Sequence, residues 1–393
     1  MKHNIIAINA GSSTLKFQLY SMPEERIIAK GMIDKIGKED ALFVMEYHQQ
    51  KLEANNIQLD DAQQAIDYLL EQLLSLKILT GLDDIDGVGH RVAHGGDHFK
   101  QSVRIDQEVI AKLTDLCELA PLHNPVNLAF IKAMRLRLPN CKQVAVFDTS
   151  FHQTMAKPQY LYALPYRFYQ EDQIRRYGFH GTSHHYVSQE CAKQLQRPVE
   201  QLKIISCHLG SGASICAIEN GQSVNTSMGF TPLAGLAMGT RCGDIDPSIL
   251  LYIAKKHQLS LDEVNHIMNS ESGLLGISGV SNDCRSVQQA GAQGNQRAQL
   301  AIDIFVQRIR DFIGAYMIQM GGVDVILFTG GIGENSASIR QAVCQNLQAL
   351  GMKLDPEKNA SSQRFIHQAD SKIALAVINT NEELMMARQT MAL

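Results

Sequence analysis

Short apolar runs closed by glycine-rich turns alternate along this chain with longer stretches whose apolar residues recur every three or four positions. Asn4 to Asn9 reads as a short buried strand that enters the turn Ala10-Gly11-Ser12-Ser13, and Leu15 to Tyr20 reads as a second strand. In residues 61–76, Ala62, Ala65, Ile66, Leu69, Leu70, Leu73 and Leu74 fall on one helical face, which predicts a helix packed on a core. Val144 to Phe147 is a further apolar strand, ending at Asp148. Loops dominate residues 150–200, and strands resume after Leu202. The longest helical pattern covers residues 297–320 and stops at Gly321-Gly322, where a helix C-terminus favours glycine. Val323 to Phe328 reads as a buried strand broken by Thr329-Gly330-Gly331-Ile332-Gly333, with a helix expected from about Ser336 to Gly351. Strand and helix patterns alternate throughout, so the fold class is α/β.

One α/β unit occurs twice. IIAINAGSSTLKFQL (5–19) and IISCHLGSGASICAI (204–218) superimpose without a gap, Gly11 matching Gly210 and Ser12 matching Ser211. A weaker echo relates VAVFD (144–148) to VILFT (325–329). Two such copies predict a two-lobed molecule. The length of 393 residues agrees, being enough for two or three domains with cores of their own.

Composition narrows the function. A net charge of −4 without a Lys/Arg stripe argues against a nucleic-acid binder. No apolar run approaches the 18 or so residues of a membrane span, and Ile5 to Ile8 is too short for a signal-peptide core. Eight cysteines form no C-x-x-C pair, which fits buried thiols in a reducing compartment and makes the cytoplasm the expected location.

The candidate chemistry sits in the turns. Gly11, Ser12 and Ser13 could form an anion-binding concavity or a plain hairpin turn, with Lys16 adding charge and Asn9 an oxygen ligand for Mg²⁺. The P-loop spacing is absent, and a strand follows where a P-loop has a helix. His208-Leu209-Gly210-Ser211-Gly212 repeats the first turn, and Gly331-Ile332-Gly333-Glu334-Asn335 lies between a strand and a helix, where backbone can approach a nucleotide. His90, His94 and His98, like His180 and His184, have helical spacing, but Gly95-Gly96 interrupts the first set and no H-E-x-x-H occurs, so zinc is not expected. Arg91 precedes that Gly-Gly turn and suits either a carboxylate or phosphate ligand or a surface salt bridge. Arg241 occupies a glycine-rich loop, and Asp148 ends a buried strand, a frequent place for functional carboxylates. Thr380 and Glu383 have capping-box spacing, which leaves Glu382 free for other chemistry.

The motifs NAGSSTLKF, GHRVAHGG, APLHNP, VFDTSFHQTM, RRYGFHGTSH, HLGSGAS, TSMGFTPLAGLAMGTRCGDIDP, ESGLLGISG, FTGGIGEN and TNEEL together resemble the acetokinase family, acetate kinase and the closely similar propionate kinase, from residue 4 to 388. The resemblance implies the two-lobed, duplicated ribonuclease-H-like fold of the acetate/sugar kinase, Hsp70 and actin superfamily. Residues 1–150, with the terminal helix at about 382–393, would form one lobe, and residues 151–381 the nucleotide-binding lobe. It implies reversible phosphoryl transfer from ATP to acetate, giving acetyl phosphate and ADP, with Mg²⁺ (Mn²⁺ as a substitute) and a homodimer. The alternatives are a propionate kinase and, in another class, an ATPase of the Hsp70 or actin type. By the same resemblance Asp148, His180 and Arg241 are catalytic, and Asn9 and Glu382 serve the metal. Arg91, Ala93, Leu122, Phe179 and Pro232 hold the acid. Lys16, His208 to Gly212, Asp283, Cys284, Arg285 and Gly331 to Asn335 contact the nucleotide. Ser211 departs from the family's HLGNG, and Ala93 stands where acetate kinases usually carry valine and propionate kinases alanine.

Overall fold

Two β-sheets organise the chain in this computed structural model, which describes residues 2–393. Contacts divide it into two units: the first runs to Phe151 and takes back Asn381–Leu393, and the second is His152–Thr380.

The first unit holds β1 (His3–Ala10), β2 (Leu15–Met22), β3 (Arg26–Asp34), β4 (Ala41–Tyr47), β5 (Gln50–Ile57), β6 (Gly87–Val92), β7 (Val103–Arg104) and β8 (Lys142–Phe147). Their order across the sheet is β5-β4-β3-β2-β1-β6-β8-β7. Helices Ala62–Ser75 and Asn124–Arg137 bury Ile66, Leu69, Leu70, Phe130 and Met134 against Ile6, Ile8, Phe17 and Leu19. The first of these helices has the predicted apolar stripe, and Asp61 caps it by accepting the Gln64 N–H.

Glycine spacing in β6 places the terminal helix Glu382–Ala392. A Cβ on Gly89 would come within 2.5 Å of Thr390 Oγ1 and 3.2 Å of the Met386 carbonyl, so only glycine admits the helix at this distance. Side chains alternate along a strand, so Arg91 lies on the same face of β6 as Gly87 and Gly89.

The second unit is built on β9 (Lys203–Leu209), β10 (Ala213–Glu219), β11 (Gln222–Thr226), β12 (Val325–Thr329) and β13 (Ala374–Val377), in the order β11-β10-β9-β12-β13. Ile205, Cys207 and Leu209 of β9 face the core with Phe305, Ile309 and Ile313 of helix Gln296–Gln319. Alternation sends Ser206 and His208 to the opposite face, where helix Gly181–Leu195 packs.

The duplication is real at the hairpins: β1 pairs antiparallel with β2, and β9 with β10. The weaker sequence echo is wrong. β12 runs parallel beside β9, as β6 does beside β1, so the positional counterpart of VILFT is β6. VAVFD in β8 corresponds to β13. Both misaligned strands are short, nearly fully buried and paired in parallel with a neighbour, and burial on both faces makes such strands look alike. The expected helix 336–351 also differs. A short helix occupies Gly330–Asn335, Ser336 caps a second at Ala337–Cys344, and a 3₁₀ turn follows at Gln348–Leu350.

Candidate active site

In the first unit the chemistry gathers at the carboxyl ends of β1, β6 and β8. Arg91 Nε donates to both Asp148 oxygens at 3.1 Å, and its Nη2 to Oδ2 at 2.6 Å, a forked charge-assisted pair. Arg91 Nη1 donates to Asn9 Oδ1 at 3.0 Å. Asp148 is buried, whereas the arginine side chain keeps 28% of its exposure. The Asp148 charge holds the guanidinium cationic by raising its pKa, against the opposing effect of burial. The Glu382 carboxyl is pushed up to about 7, first by loss of water, then by the charges of Asp148 and Glu383, with Arg91 and Lys16 pulling it down. It accepts no hydrogen bond among the described residues.

The loop after β6 is pinned by the amides of helix Asn124–Arg137. Asn127 Oδ1 accepts the Ala93 N–H and Asn124 Oδ1 the His94 N–H, while Thr149 Oγ1 accepts that of Gly95. Ala93 is buried there, and Leu122 is 75% exposed. Lys16 is exposed and pairs across the hairpin with Asn9.

In the second unit His180 sits before the first residue of helix Gly181–Leu195 with φ +56°, a left-handed conformation uncommon for residues other than glycine. Its Nδ1 meets Ser214 Oγ at 2.9 Å. A Cβ built on Gly212 would lie 3.4 Å from Arg241 Nη1 and 3.5 Å from His180 Nε2. These nitrogens from two loops therefore converge on one point, which glycine leaves open. Burial lowers the Arg241 pKa from its very high ordinary value, and Nη1 is anchored on the Pro232 carbonyl at 3.2 Å. The Phe179 carbonyl is engaged by His152 Nε2.

Beside this point lies a cavity of about 710 Å³ lined by Gly210, Ser211, Asp283, Cys284, Arg285, Gly331, Ile332 and Asn335 from the expected set. It is large enough for a nucleotide. His208, Leu209, Gly212, Gly333 and Glu334 do not line it. Glu334 has turned inward, its carboxylate accepting the Gly330 and Thr380 N–H groups at 2.9 and 3.1 Å. Asp283 accepts the Arg285 and Ser286 N–H groups, capping helix Cys284–Ala292. Asn282, Gln288, Ser336, Ala337 and Ser338 also line the cavity and were not expected. The position of Gln288, one helical turn beyond Cys284, was the available signal.

The expected capping box does not form. Asn381 caps helix Glu382–Ala392 by accepting the Leu384 N–H at 2.9 Å. The Thr380 hydroxyl is shared with Ser183, and its N–H goes to Glu334. Thr380 thus lies one residue too early.

The family profile described as acetokinase matches residues 4–388. The chain belongs to the acetokinase family. A propionate kinase of Escherichia fergusonii is 54% identical over 391 residues, covering 100% of this chain and 96% of that protein. An acetate kinase of Listeria monocytogenes is 51% identical, covering 98% and 97%. The crystal structure of Porphyromonas gingivalis acetate kinase superimposes with a TM-score of 0.94 at 40% identity, covering 99% of both chains. The acetokinase fold and kinase class stated above as expectations therefore hold.

Acetokinases are expected to use Mg²⁺. Among the described residues no group of three or more His, Cys, Asp or Glu could hold a metal by protein ligands alone. Asn9, Asp148 and Glu382 do fit Mg²⁺, which binds hard oxygen donors, retains several waters and needs only one or two carboxylates beside phosphates. Burial first, and the Asp148 and Glu383 charges after it, raise the Glu382 pKa, and a bound cation would offset that cost of holding the carboxylate ionised.

Proposed function

We propose that this chain transfers the γ-phosphoryl group of ATP to acetate, reversibly, giving acetyl phosphate and ADP, and that it accepts propionate as well. The supporting observation is the convergence of Arg241 Nη1 and His180 Nε2 over Gly212, beside a nucleotide-sized cavity, in a chain that matches the acetokinase family over residues 4–388. A carboxylate is ionised at pH 7, so its attack on phosphorus needs no general base. The protein's task is positioning and charge stabilisation of a loose, in-line transition state. Arg91 neutralises and orients the acid, its own fork held in place by Asp148 and Asn9. Arg241 and His180 hold the equatorial oxygens of the group in transfer, and Gly331, Ile332 and Ser211 receive the nucleotide. Mg²⁺, held through Asn9, Asp148 and Glu382, would neutralise phosphate charge when bound. The same reading makes this a cytoplasmic homodimer.

ADP release measured with and without acetate tests the reading. Acid-dependent release supports it. Release that ignores the acid would point to an ATPase of another kind.

A further inference from the structure

His180 ends a chain of buried hydrogen bonds that the phosphoryl-transfer reading leaves unused. Ser214 Oγ lies 2.9 Å from His180 Nδ1 and 2.9 Å from His184 Nε2, and His184 Nδ1 lies 2.8 Å from Ser206 Oγ. Helical spacing puts His180 and His184 on one face of their helix, and both serines project from the sheet face beneath it. Ser206, His184 and Ser214 are fully buried.

Counting protons fixes a direction. Burial, with His152 and His208 nearby, pushes the His184 pKa well below its usual value, so His184 is neutral and carries one N–H. Ser214 is buried with one proton and two acceptor lone pairs, and if it accepted in both bonds its own proton would have no acceptor, so it donates in one and accepts in the other. The three links must therefore all run the same way. If they ran from His180 toward Ser206, the Ser206 hydroxyl would accept from His184 and its own proton would be buried without an acceptor. Ser206 has no other hydrogen-bond partner among the described residues, and an orphaned buried donor is costly. Run the other way, every proton is used: Ser206 donates to His184 Nδ1, His184 Nε2–H to Ser214, and Ser214 to His180 Nδ1.

We infer that Ser206, His184 and Ser214 are positioning residues that hold His180 as the neutral tautomer with its proton on Nε2. The inference rests on the proposed role of His180. That nitrogen faces the point shared with Arg241 Nη1, so His180 acts as a hydrogen-bond donor to the phosphoryl group without bringing a second full positive charge beside Arg241. An imidazolium would need its Nδ1–H to donate to Ser214, which reverses the chain and strands the Ser206 proton. The arrangement also gives a reason for two buried serines on a sheet face that apolar residues would otherwise fill.

Nitrogen NMR of the whole enzyme labelled with ¹⁵N-histidine reads the tautomer directly, the His180 signals being those lost in His180→Gln. In the wild type near pH 7 the signals are expected to show protonated Nε2 and bare Nδ1. Ser214→Ala should mix the tautomers and lower kcat on the order of tenfold or more with KM for ATP little changed, and Ser214→Thr should restore both. A wild-type His180 protonated on Nδ1, or on both nitrogens, would overturn the inference, as would an unchanged pattern in Ser214→Ala. The spectrum is independent of turnover, so a wild-type enzyme with no acid-dependent activity would instead count against the proposed function.

Discussion

The two arginines show how a single residue can be legible from its surroundings. Arg91 precedes a Gly-Gly turn and Arg241 lies in a glycine-rich loop, and each is held by specific partners, Arg91 by Asp148 and Asn9, Arg241 by the Pro232 carbonyl. Their losses should differ. On the proposed mechanism Arg241→Ala removes a transition-state contact, and it should lower kcat by roughly 10²–10³-fold with modest change in KM. Arg91→Ala should also raise KM for the acid, and it leaves Asp148 buried without its partner, which should lower the melting temperature as well. Steady-state kinetics and melting curves on both variants separate these outcomes. Ala93 is buried in the loop after β6, and valine there adds two methyl groups. Ala93→Val should shift kcat/KM toward acetate over propionate by about tenfold, since one methylene in an apolar pocket is worth on the order of 1–3 kcal/mol. The hydrogen bonds that join Ser206, His184 and Ser214 to His180 were hidden from the sequence. The His180/His184 spacing suggested only a metal test, because hydroxyl partners on distant strands leave no periodic signal.

Element boundaries were readable where patterns are long and caps local. The 61–76 stripe found its helix within a residue of each end, and the 297–320 pattern did the same. Where several polar residues compete for one cap, the sequence is ambiguous, and Asn381 displaced Thr380 at the last helix. Asn381→Ala should therefore cost about 1 kcal/mol in denaturant unfolding, and Glu383→Ala clearly less. Glu382→Ala should raise the Mg²⁺ concentration needed for half-maximal activity more than Glu383→Ala does. β6 adds a pH effect. Burial pushes the His90 imidazole, bonded to Gln143, down to about 4. Unfolded, it titrates near 6.5, so the unfolded chain takes up more protons between those values. Stability from this group is complete above about pH 6.5 and falls as pH drops toward 4, by about 2 kcal/mol at pH 5. His90→Gln should lose less stability between pH 7 and pH 5 than the wild type, and equal losses would contradict the buried neutral imidazole.

For the whole molecule, the duplication of the strand-turn-strand unit was visible in the sequence because its glycine and serine positions are fixed by tight hairpins. The order of the parallel strands was not, since buried parallel strands carry no face-specific alternation. The cavity was half legible: the glycine turns announced it, but Gln288, from the middle of helix Cys284–Ala292, and Ser336 and Ser338, from the start of helix Ala337–Cys344, line it without any phosphate-binding motif. Together these parts would transfer phosphoryl to a short-chain carboxylate. Acyl hydroxamate trapped by hydroxylamine, measured against ADP formed from ATP and Mg²⁺ with acetate, propionate and butyrate in turn, tests it most directly. Hydroxamate is expected to equal ADP for acetate and propionate, with kcat/KM values within about tenfold of each other. ADP formed without hydroxamate from any of the three acids would contradict it.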